Sequence, residues 1–161
     1  MSFDSRAFRD ALGRFATGVT VVTGLDGDGG PPVGITVNSF AAVSLHPPLV
    51  LFSLDLERNS TRFFTAGRPF AVNVLTDAQL GLSHQFAALD DDRWRGVEVT
   101  AARNGCPLLA GALAAFEGRV SAVHDGGDHA VIVGRVEGLY RSENGRPLIF
   151  YQGGYRVLSD E

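Results

Sequence analysis

The stretch VTVVTGLDGDGGPPVGITV, residues 19–37, carries the clearest fold signal in the chain. It begins with five β-branched residues, a composition that favours a strand. The Asp-, Gly- and Pro-rich segment at residues 26–32 is typical of a turn or loop. Val33, Ile35 and Val37 then alternate with small or polar residues, as expected for a strand with one buried face. The stretch therefore predicts a β-hairpin.

Further strand patterns follow along the chain. They lie at residues 49–54, 70–75, 112–123, 129–140 and 148–151. Helical patterns are shorter: an amphipathic N-terminal segment that Gly18 is expected to end, residues 60–65, and residues 77–88. The connections between strands are mostly too short for parallel crossovers, and an antiparallel sheet of this size commonly closes into a barrel. We predict a mainly β fold, an antiparallel Greek-key barrel with short peripheral helices.

Composition indicates one globular domain spanning residues 1–161. Hydrophobic residues make up 45% of the chain and charged residues 20%, which argues against disorder. The single cysteine excludes an internal disulfide framework and a cysteine-rich metal site. All 14 basic residues are arginines, which excludes a Schiff-base lysine and a P-loop lysine. The formal charge of -4 does not favour a nucleic-acid partner.

The chain shows no targeting or membrane-spanning pattern. Its first residues are polar, and its apolar runs are far shorter than a membrane span. We therefore expect a cytoplasmic protein with no membrane partner.

Two segments offer candidate ligand contacts, each with a plainer structural alternative. Residues 34–40 end a strand with Thr, Asn and Ser, whose donors and acceptors suit a flat heteroaromatic ligand; the alternative is the start of a turn. Residues 59–61 begin a predicted helix between Arg58 and Arg62, where an anion such as phosphate could bind. The alternative is simple helix capping with solvated arginines.

Two later segments are also candidates. Residues 126–129 could direct the imidazole of His129 into a cavity, or form an ordinary hairpin turn. Residues 151–155 place two aromatic rings around paired glycines, or form an aromatic pair at the edge of the core. The four histidines have neither a nucleophile elbow nor metal-ligand spacing nearby, so no metal site is predicted.

In order and spacing, these segments resemble the flavin reductase-like family of FMN-binding split barrels, from about Phe8 to Tyr155. The resemblance depends on residues 15–23, 34–40, 43–50, 70–75, 127–129 and 147–151, together with Ser60. Within the family, the chain is most similar to the small reductase components of two-component flavin-dependent monooxygenases.

The resemblance implies a split β-barrel that acts as an NADH:flavin oxidoreductase, with NADPH as the alternative donor. Such an enzyme transfers hydride to FMN or FAD and supplies reduced flavin to a separate monooxygenase. Family members are homodimers, so a homodimer is expected here. The alternative function is a non-catalytic flavin-binding or sensor module of the same fold, which would bind flavin without oxidising NADH.

The resemblance also assigns site residues. Those expected along the flavin ring are Thr36, Val37, Asn38 and Ser39. Those expected at the ribityl and phosphate end are Ser53, Leu54, Asp55, Asn59 and Ser60, and those near the distal part of FAD are Phe86 and Ala87. Those expected to meet the nicotinamide nucleotide are His129, Tyr151, Gln152, Gly153, Gly154 and Tyr155. Of these, His129 is the expected catalytic residue, positioning the nucleotide and exchanging a proton. Relatives often place a basic residue close before the phosphate serine, so Arg58 or Arg62 would have to compensate for Asn59.

Overall fold

The computed structural model describes residues 3–58, 60–88 and 92–159. The strands are β1 (Thr17–Gly18), β2 (Thr20–Leu25), β3 (Pro32–Val37), β4 (Ala41–Leu45), β5 (Pro48–Asp55), β6 (Pro69–Val74), β7 (Val99–Ala101), β8 (Pro107–Leu109), β9 (Ala114–Asp125), β10 (His129–Arg141), β11 (Ile149–Tyr151) and β12 (Gly154–Arg156). The α-helices are α1 (Ser5–Leu12) and α2 (Leu80–Ala87), and 3₁₀ turns occupy Leu56–Arg58, Ser60–Phe63 and Asp77–Gln79. No helix in these ranges is long and apolar enough to cross a membrane.

Seven strands form the main sheet in the order β3-β2-β6-β9-β10-β5-β4, and every neighbouring pair is antiparallel. The predicted hairpin is confirmed, because β2 pairs with β3 from Thr20 opposite Val37 to Leu25 opposite Pro32. The sheet wraps around one apolar core to which β2, β3, β5, β6, β9 and β10 all contribute, with Phe52 and Phe70 fully buried inside it. The predicted mainly β, antiparallel architecture is therefore confirmed.

The N-terminal helix ends earlier than predicted. Asp4 caps α1 by accepting a hydrogen bond from the Ala7 N–H at 2.6 Å, and Gly13 forms the other end. The prediction that Gly18 ends this helix is wrong, because Gly18 belongs to β1, opposite Ile149 of β11. No residue of α1 is buried, which leaves its apolar side chains in solvent in this single chain.

The other helical predictions are partly confirmed. Residues 60–65 form only the four-residue 3₁₀ turn Ser60–Phe63. Residues 77–88 divide into a 3₁₀ turn and α2, and the Thr76 N–H donates to the Gln79 side chain at 3.0 Å at the start. The short strands β1, β4, β7, β8 and β12 were not predicted. β1 is defined by pairing with β11, far away in sequence, whereas β4, β7, β8 and β12 are short arms of local hairpins.

One carboxylate, Glu117 of β9, lies in the interior with 2% of its surface exposed. Arg103 Nε donates to its Oε1 at 2.7 Å, the Tyr140 hydroxyl donates to the same oxygen at 3.2 Å, and the Asn104 N–H donates to Oε2 at 3.2 Å. Burial by itself would raise the pKa of Glu117, but these donors outweigh it and hold that pKa below its usual range. Glu117 is therefore a buried anion that the surrounding loop and strands stabilise.

Candidate functional site

Helix α2 and the residues after it pack against one face of β3. Gly34 makes this close packing possible, since a Cβ atom there would lie 2.7 Å from the Phe86 ring and 3.1 Å from the Trp94 ring. Two residues further on, Thr36 Oγ1 donates to the Ser83 carbonyl of α2 at 2.8 Å. The even-numbered residues of β3 therefore face α2, while the odd-numbered Ile35 belongs to the barrel core.

The other side of β3 is an edge of the main sheet. Arg93 Nη1 donates to the Gly34 carbonyl at 3.1 Å, so this carbonyl points away from β2. In an antiparallel pair, residues that bond across the ladder alternate with residues that do not. Thr36, two residues along, therefore also directs its backbone N–H and C=O away from β2. A ligand lying along β3 would meet these groups directly.

A cavity of about 250 Å³ lies between the end of β3 and β5; we call it the β3–β5 cavity. Ser39 joins its two walls, because its hydroxyl accepts from the Ser53 N–H at 2.8 Å and donates to the Ser53 carbonyl at 3.2 Å. The site residues from the sequence that line this cavity are Thr36, Val37, Asn38, Ser39, Ser53, Leu54, Asp55, Ala87 and His129. Segments that are far apart in the chain thus meet at one polar cleft.

His129 stands at the start of β10, opposite Asp55 of β5. Its Nδ1 lies 2.7 Å from Oδ1 of Asp128, and 43% of its side chain is exposed. The hydrogen bond from His129 lowers the pKa of the Asp128 carboxyl. The imidazole is therefore oriented by a carboxylate at the rim of the β3–β5 cavity.

A second cavity, of about 300 Å³, continues from the first; we call it the arginine cavity, after Arg58, Arg62 and Arg93 in its wall. Arg58 and Ile35 line both cavities. Arg58 also donates to the Ala87 carbonyl at 2.8 Å, and its Nε lies 3.9 Å from Oδ2 of Asp55. Arg58 therefore stands at the junction between the two spaces.

Ser60 also lines the arginine cavity, and its buried Oγ has no hydrogen-bond partner among the described residues. A buried hydroxyl without a partner is costly, so this atom suits a ligand that would accept or donate a hydrogen bond there. The predicted helix start is only a short 3₁₀ turn here. An anion would therefore be bound by the Ser60 hydroxyl and the arginine side chains, and a helix N-terminus contributes little.

A third cavity, of about 140 Å³, lies at the end of β3 remote from the arginine cavity and is lined by Tyr155, Phe150 and residues 36–38; we call it the Tyr155 cavity. The Tyr155 hydroxyl lies 2.8 Å from the Ser83 hydroxyl, and its ring meets His84 edge-on with 5.0 Å between ring centroids. These contacts fix Tyr155 beside the outward-facing backbone of β3.

The remaining residues of the predicted nicotinamide turn lie elsewhere. Gln152 and Gly153 both have positive φ, at 50° and 73°, which makes a tight two-residue hairpin turn between β11 and β12. The Gln152 N–H donates to the Gly13 carbonyl at 2.9 Å, which attaches this turn to the end of α1. Tyr151, Gln152, Gly153 and Gly154 line none of the three cavities, so only Tyr155 of this group stands at the cleft.

Phe86 and Asn59 are the remaining predicted site residues. Phe86 is fully buried against Trp94, with ring centroids 4.8 Å apart, so it supports the cleft from behind and has no surface for a ligand. Its expected position near the distal part of FAD stays a prediction. Asn59 lies outside the described residues.

Sequence reasoning missed Arg93 and Trp94 as site residues. Both follow a run of acidic residues, a pattern that is typical of a solvated surface segment. Both instead line the arginine cavity. The lone tryptophan of the chain inside a charged run was the one available signal, because an indole ring is rarely left in solvent.

Comparison with known proteins adds an independent finding. A family model described as a flavin reductase like domain matches residues 12–159. The chain is 42% identical over 160 residues to the flavin-dependent monooxygenase, reductase subunit HsaB, of Mycobacterium tuberculosis, which covers 98% of this chain and 84% of that protein. It is 45% identical over 161 residues to the FMN reductase (NADH) SmoA of Agrobacterium fabrum, with 97% and 87% covered. A solved structure of the Streptomyces globisporus NADH:FAD oxidoreductase SgcE6 with NAD and FAD fragments superposes with a TM-score of 0.86 at 32% identity, covering 99% and 97%.

Proposed function

Because the chain belongs to the flavin reductase-like family, we propose that it is an NADH-dependent flavin reductase that transfers hydride to FMN or FAD. The observation that carries the proposal is the continuous cleft along the outer edge of β3, where three cavities share residues of one strand. A cleft with an exposed strand edge suits a flat heteroaromatic ring, since backbone donors and acceptors can bind its polar rim. NADPH stays the alternative donor.

The residues of the cleft fit a flavin nucleotide. Polar atoms of Thr36, Asn38 and Ser39 lie at the ring end, and Arg58 with the unpartnered Ser60 hydroxyl suits a phosphate. Asn59, also expected at the phosphate end, lies outside the described residues. Phosphate binding therefore depends on Arg58, which supports the expected compensation by a neighbouring arginine.

When both nucleotides are bound, flavin and NADH supply the redox chemistry themselves, a hydride passing from the nicotinamide to the flavin. The chain contributes alignment, which accounts for much of the rate in a reaction between two bound partners. The Ser39 hydroxyl fixes β3 to β5 and so keeps the cleft at constant width. Tyr155, fixed by Ser83, forms the opposite wall where the nicotinamide is expected. His129, oriented by Asp128, positions the nucleotide and exchanges a proton at its exposed imidazole nitrogen.

We further propose that reduced flavin passes to a separate monooxygenase. The relative HsaB is named as the reductase subunit of a flavin-dependent monooxygenase, which supports this role. We also propose that residues 1–161 form one domain, as their composition indicates, that the protein acts as a homodimer, as the family resemblance implies, and that it is cytoplasmic, as the polar first residues suggest. The alternative, a flavin-binding sensor without activity, has no support among the named relatives.

The decisive experiment measures NADH oxidation by the purified protein with FMN, with FAD and without flavin. We expect oxidation that requires added flavin and saturates with its concentration. Flavin binding without oxidation of NADH or NADPH would refute the enzyme and favour the sensor.

The role of His129 has its own test. His129→Ala should raise the KM for NADH, and His124→Ala, which removes an exposed histidine from the neighbouring strand β9, should leave it unchanged. Unchanged KM and kcat in His129→Ala would remove His129 from the mechanism.

A further inference from the structure

The backbone of Tyr155 is supported on one side only. This residue lies in β12, a three-residue strand that pairs with β11 and forms one edge of the small sheet β1-β11-β12. Among the described strands, none pairs with the other side of β12. The position of the Tyr155 ring therefore depends on contacts that its side chain makes.

Three polar or aromatic contacts surround this ring. Phe150, directly opposite in β11, meets it at 72° with 5.4 Å between ring centroids. The Ser83 hydroxyl lies 2.8 Å from the Tyr155 hydroxyl, and the His84 ring meets the Tyr155 ring at 71° with 5.0 Å between centroids. Phe150 belongs to the same small sheet, so it is Ser83 and His84 that connect the ring to α2.

The two contacts from α2 restrain different motions. A hydrogen bond at the hydroxyl fixes the far end of the ring but leaves it free to turn about its long axis, because the terminal torsion of tyrosine is broad. A ring that meets it nearly at right angles resists this turn, since aromatic pairs prefer edge-to-face or offset-stacked arrangements. His84, on the α2 side, therefore restrains the plane of the Tyr155 ring, which the bond from Ser83 does not do.

The side chain of His84 has little else to do in the fold. It is exposed on α2, whereas its neighbours Ser83 and Phe86 are buried. Neither of its ring nitrogens is hydrogen-bonded to any residue within the described ranges. Removing this imidazole should therefore release the Tyr155 ring without disturbing the core.

We propose that His84 is a positioning residue for NADH, acting through the Tyr155 ring and not on the reacting atoms. The inference rests on the proposed function, with the nicotinamide at the Tyr155 cavity. A ring whose plane is already fixed gives the nicotinamide a preformed wall, so less motion has to be frozen when NADH binds. His84 itself lines none of the three cavities, which separates it from the residues that would contact the nucleotide.

The test compares NADH oxidation at saturating flavin in the wild type and in two His84 variants. His84→Ala should raise the KM for NADH by about threefold to tenfold, the loss expected from one aromatic pair, and should leave kcat and the Kd of flavin unchanged. Its Tm should not fall, because alanine favours an exposed helical position. His84→Phe keeps a ring beside Tyr155 and should return the KM to within about twofold of the wild type. His124→Ala, which removes an exposed histidine from β9 outside all three cavities, is the matched control and should change none of these values.

A double variant tests whether the effect passes through Tyr155. In Tyr155→Leu, which has no ring for His84 to meet, adding His84→Ala should raise the KM no further, because residues that act through one contact are not additive. An equal rise in both backgrounds, or no recovery in His84→Phe, would mean that His84 contacts the nucleotide itself and would overturn the proposal. A fall in Tm together with weaker flavin binding in His84→Ala would make the residue purely structural.

Failure of this inference is distinct from failure of the proposed function. A wild-type protein that oxidises NADH, with an unchanged KM in His84→Ala, would refute the role of His84 alone. A wild-type protein that binds flavin without oxidising NADH or NADPH would refute the proposed function as well.

Discussion

Replacing Gly34 by alanine tests whether close packing on β3 builds the cleft. The added Cβ would lie 2.7 Å from the Phe86 ring and 3.1 Å from the Trp94 ring. Carbon atoms pack best at about 3.5–4.0 Å, so Phe86 would have to move by close to 1 Å. Phe86 is fully buried and packs in a cluster with Val21, Leu75 and Leu148, which leaves it little room to move.

The size of the effect follows from two opposing contributions. Overpacking a core position costs about 1–3 kcal/mol. Replacing glycine reduces the entropy of the unfolded chain and returns about 0.4–1 kcal/mol. The steric cost is larger, so Gly34→Ala should destabilise the protein by about 0–2.6 kcal/mol, centred near 1.3 kcal/mol. For a chain of this size that centre corresponds to a fall in Tm of about 3–5 °C.

Trp94 makes the measurement direct, because it is the only tryptophan in the chain. Its fluorescence should shift to longer wavelength in folded Gly34→Ala as the ring is displaced, and thermal unfolding followed at the same signal gives Tm. The matched control is Gly81→Ala in α2, where a Cβ would meet no atom within 4 Å; it should raise stability by about 0.5–1 kcal/mol. If Gly34→Ala kept wild-type stability and wild-type Trp94 emission, the packing argument would be refuted.

Three other changes give separate tests. Ser60→Ala should raise Tm slightly, because it removes a buried hydroxyl that has no partner among the described residues, yet it should weaken flavin binding by about tenfold in a fluorescence titration; an unchanged Kd would contradict the phosphate assignment. Tyr155→Phe removes the bond to Ser83 and should cost about 1 kcal/mol in urea unfolding and raise the KM for NADH; loss of stability alone would leave Tyr155 purely structural. Glu117→Gln tests linkage: the folded-state pKa of Glu117 is lowered, so its charge stabilises the fold above the unfolded value and this contribution disappears as pH falls through the folded pKa. The stability difference between wild type and Glu117→Gln should be constant near neutral pH and shrink below about pH 4, and a difference independent of pH would contradict this.

The long strands could be predicted because their signals are local. β2 and β3 were recognisable from a β-branched run, a glycine- and proline-rich turn and an alternating run, all within 19 residues. β1 was not recognisable, since only its pairing with β11, more than a hundred residues away, makes it a strand. The same applies to the end of α1. Both Gly13 and Gly18 could end a helix, but Gly18 pairs with Ile149 in a strand, so the helix ends at Gly13.

The site divides in the same way. Polar residues at the end of β3 were visible because they interrupt a strand pattern, and the structure brings them to the cleft. Arg93 gave no such signal, because its role depends on a contact with the Gly34 carbonyl across the fold. The family resemblance places Phe86 near the distal part of FAD, but the sequence did not show that its ring packs tightly against Gly34. Position along the chain identified the wall of the cleft, while burial decides which atoms face into it.

The cleft lies along the outermost strand of the main sheet, where backbone groups of Gly34 and Thr36 face away from β2. An unpaired strand edge is a template on which another chain can add a strand and begin to aggregate. The Arg93 side chain occupies the Gly34 carbonyl, so another strand cannot pair there. At Thr36, a bound ligand would occupy the backbone groups instead. Solubility and nucleotide occupancy are therefore coupled: protein stored without flavin should associate through β3, and saturating flavin should keep it monodisperse.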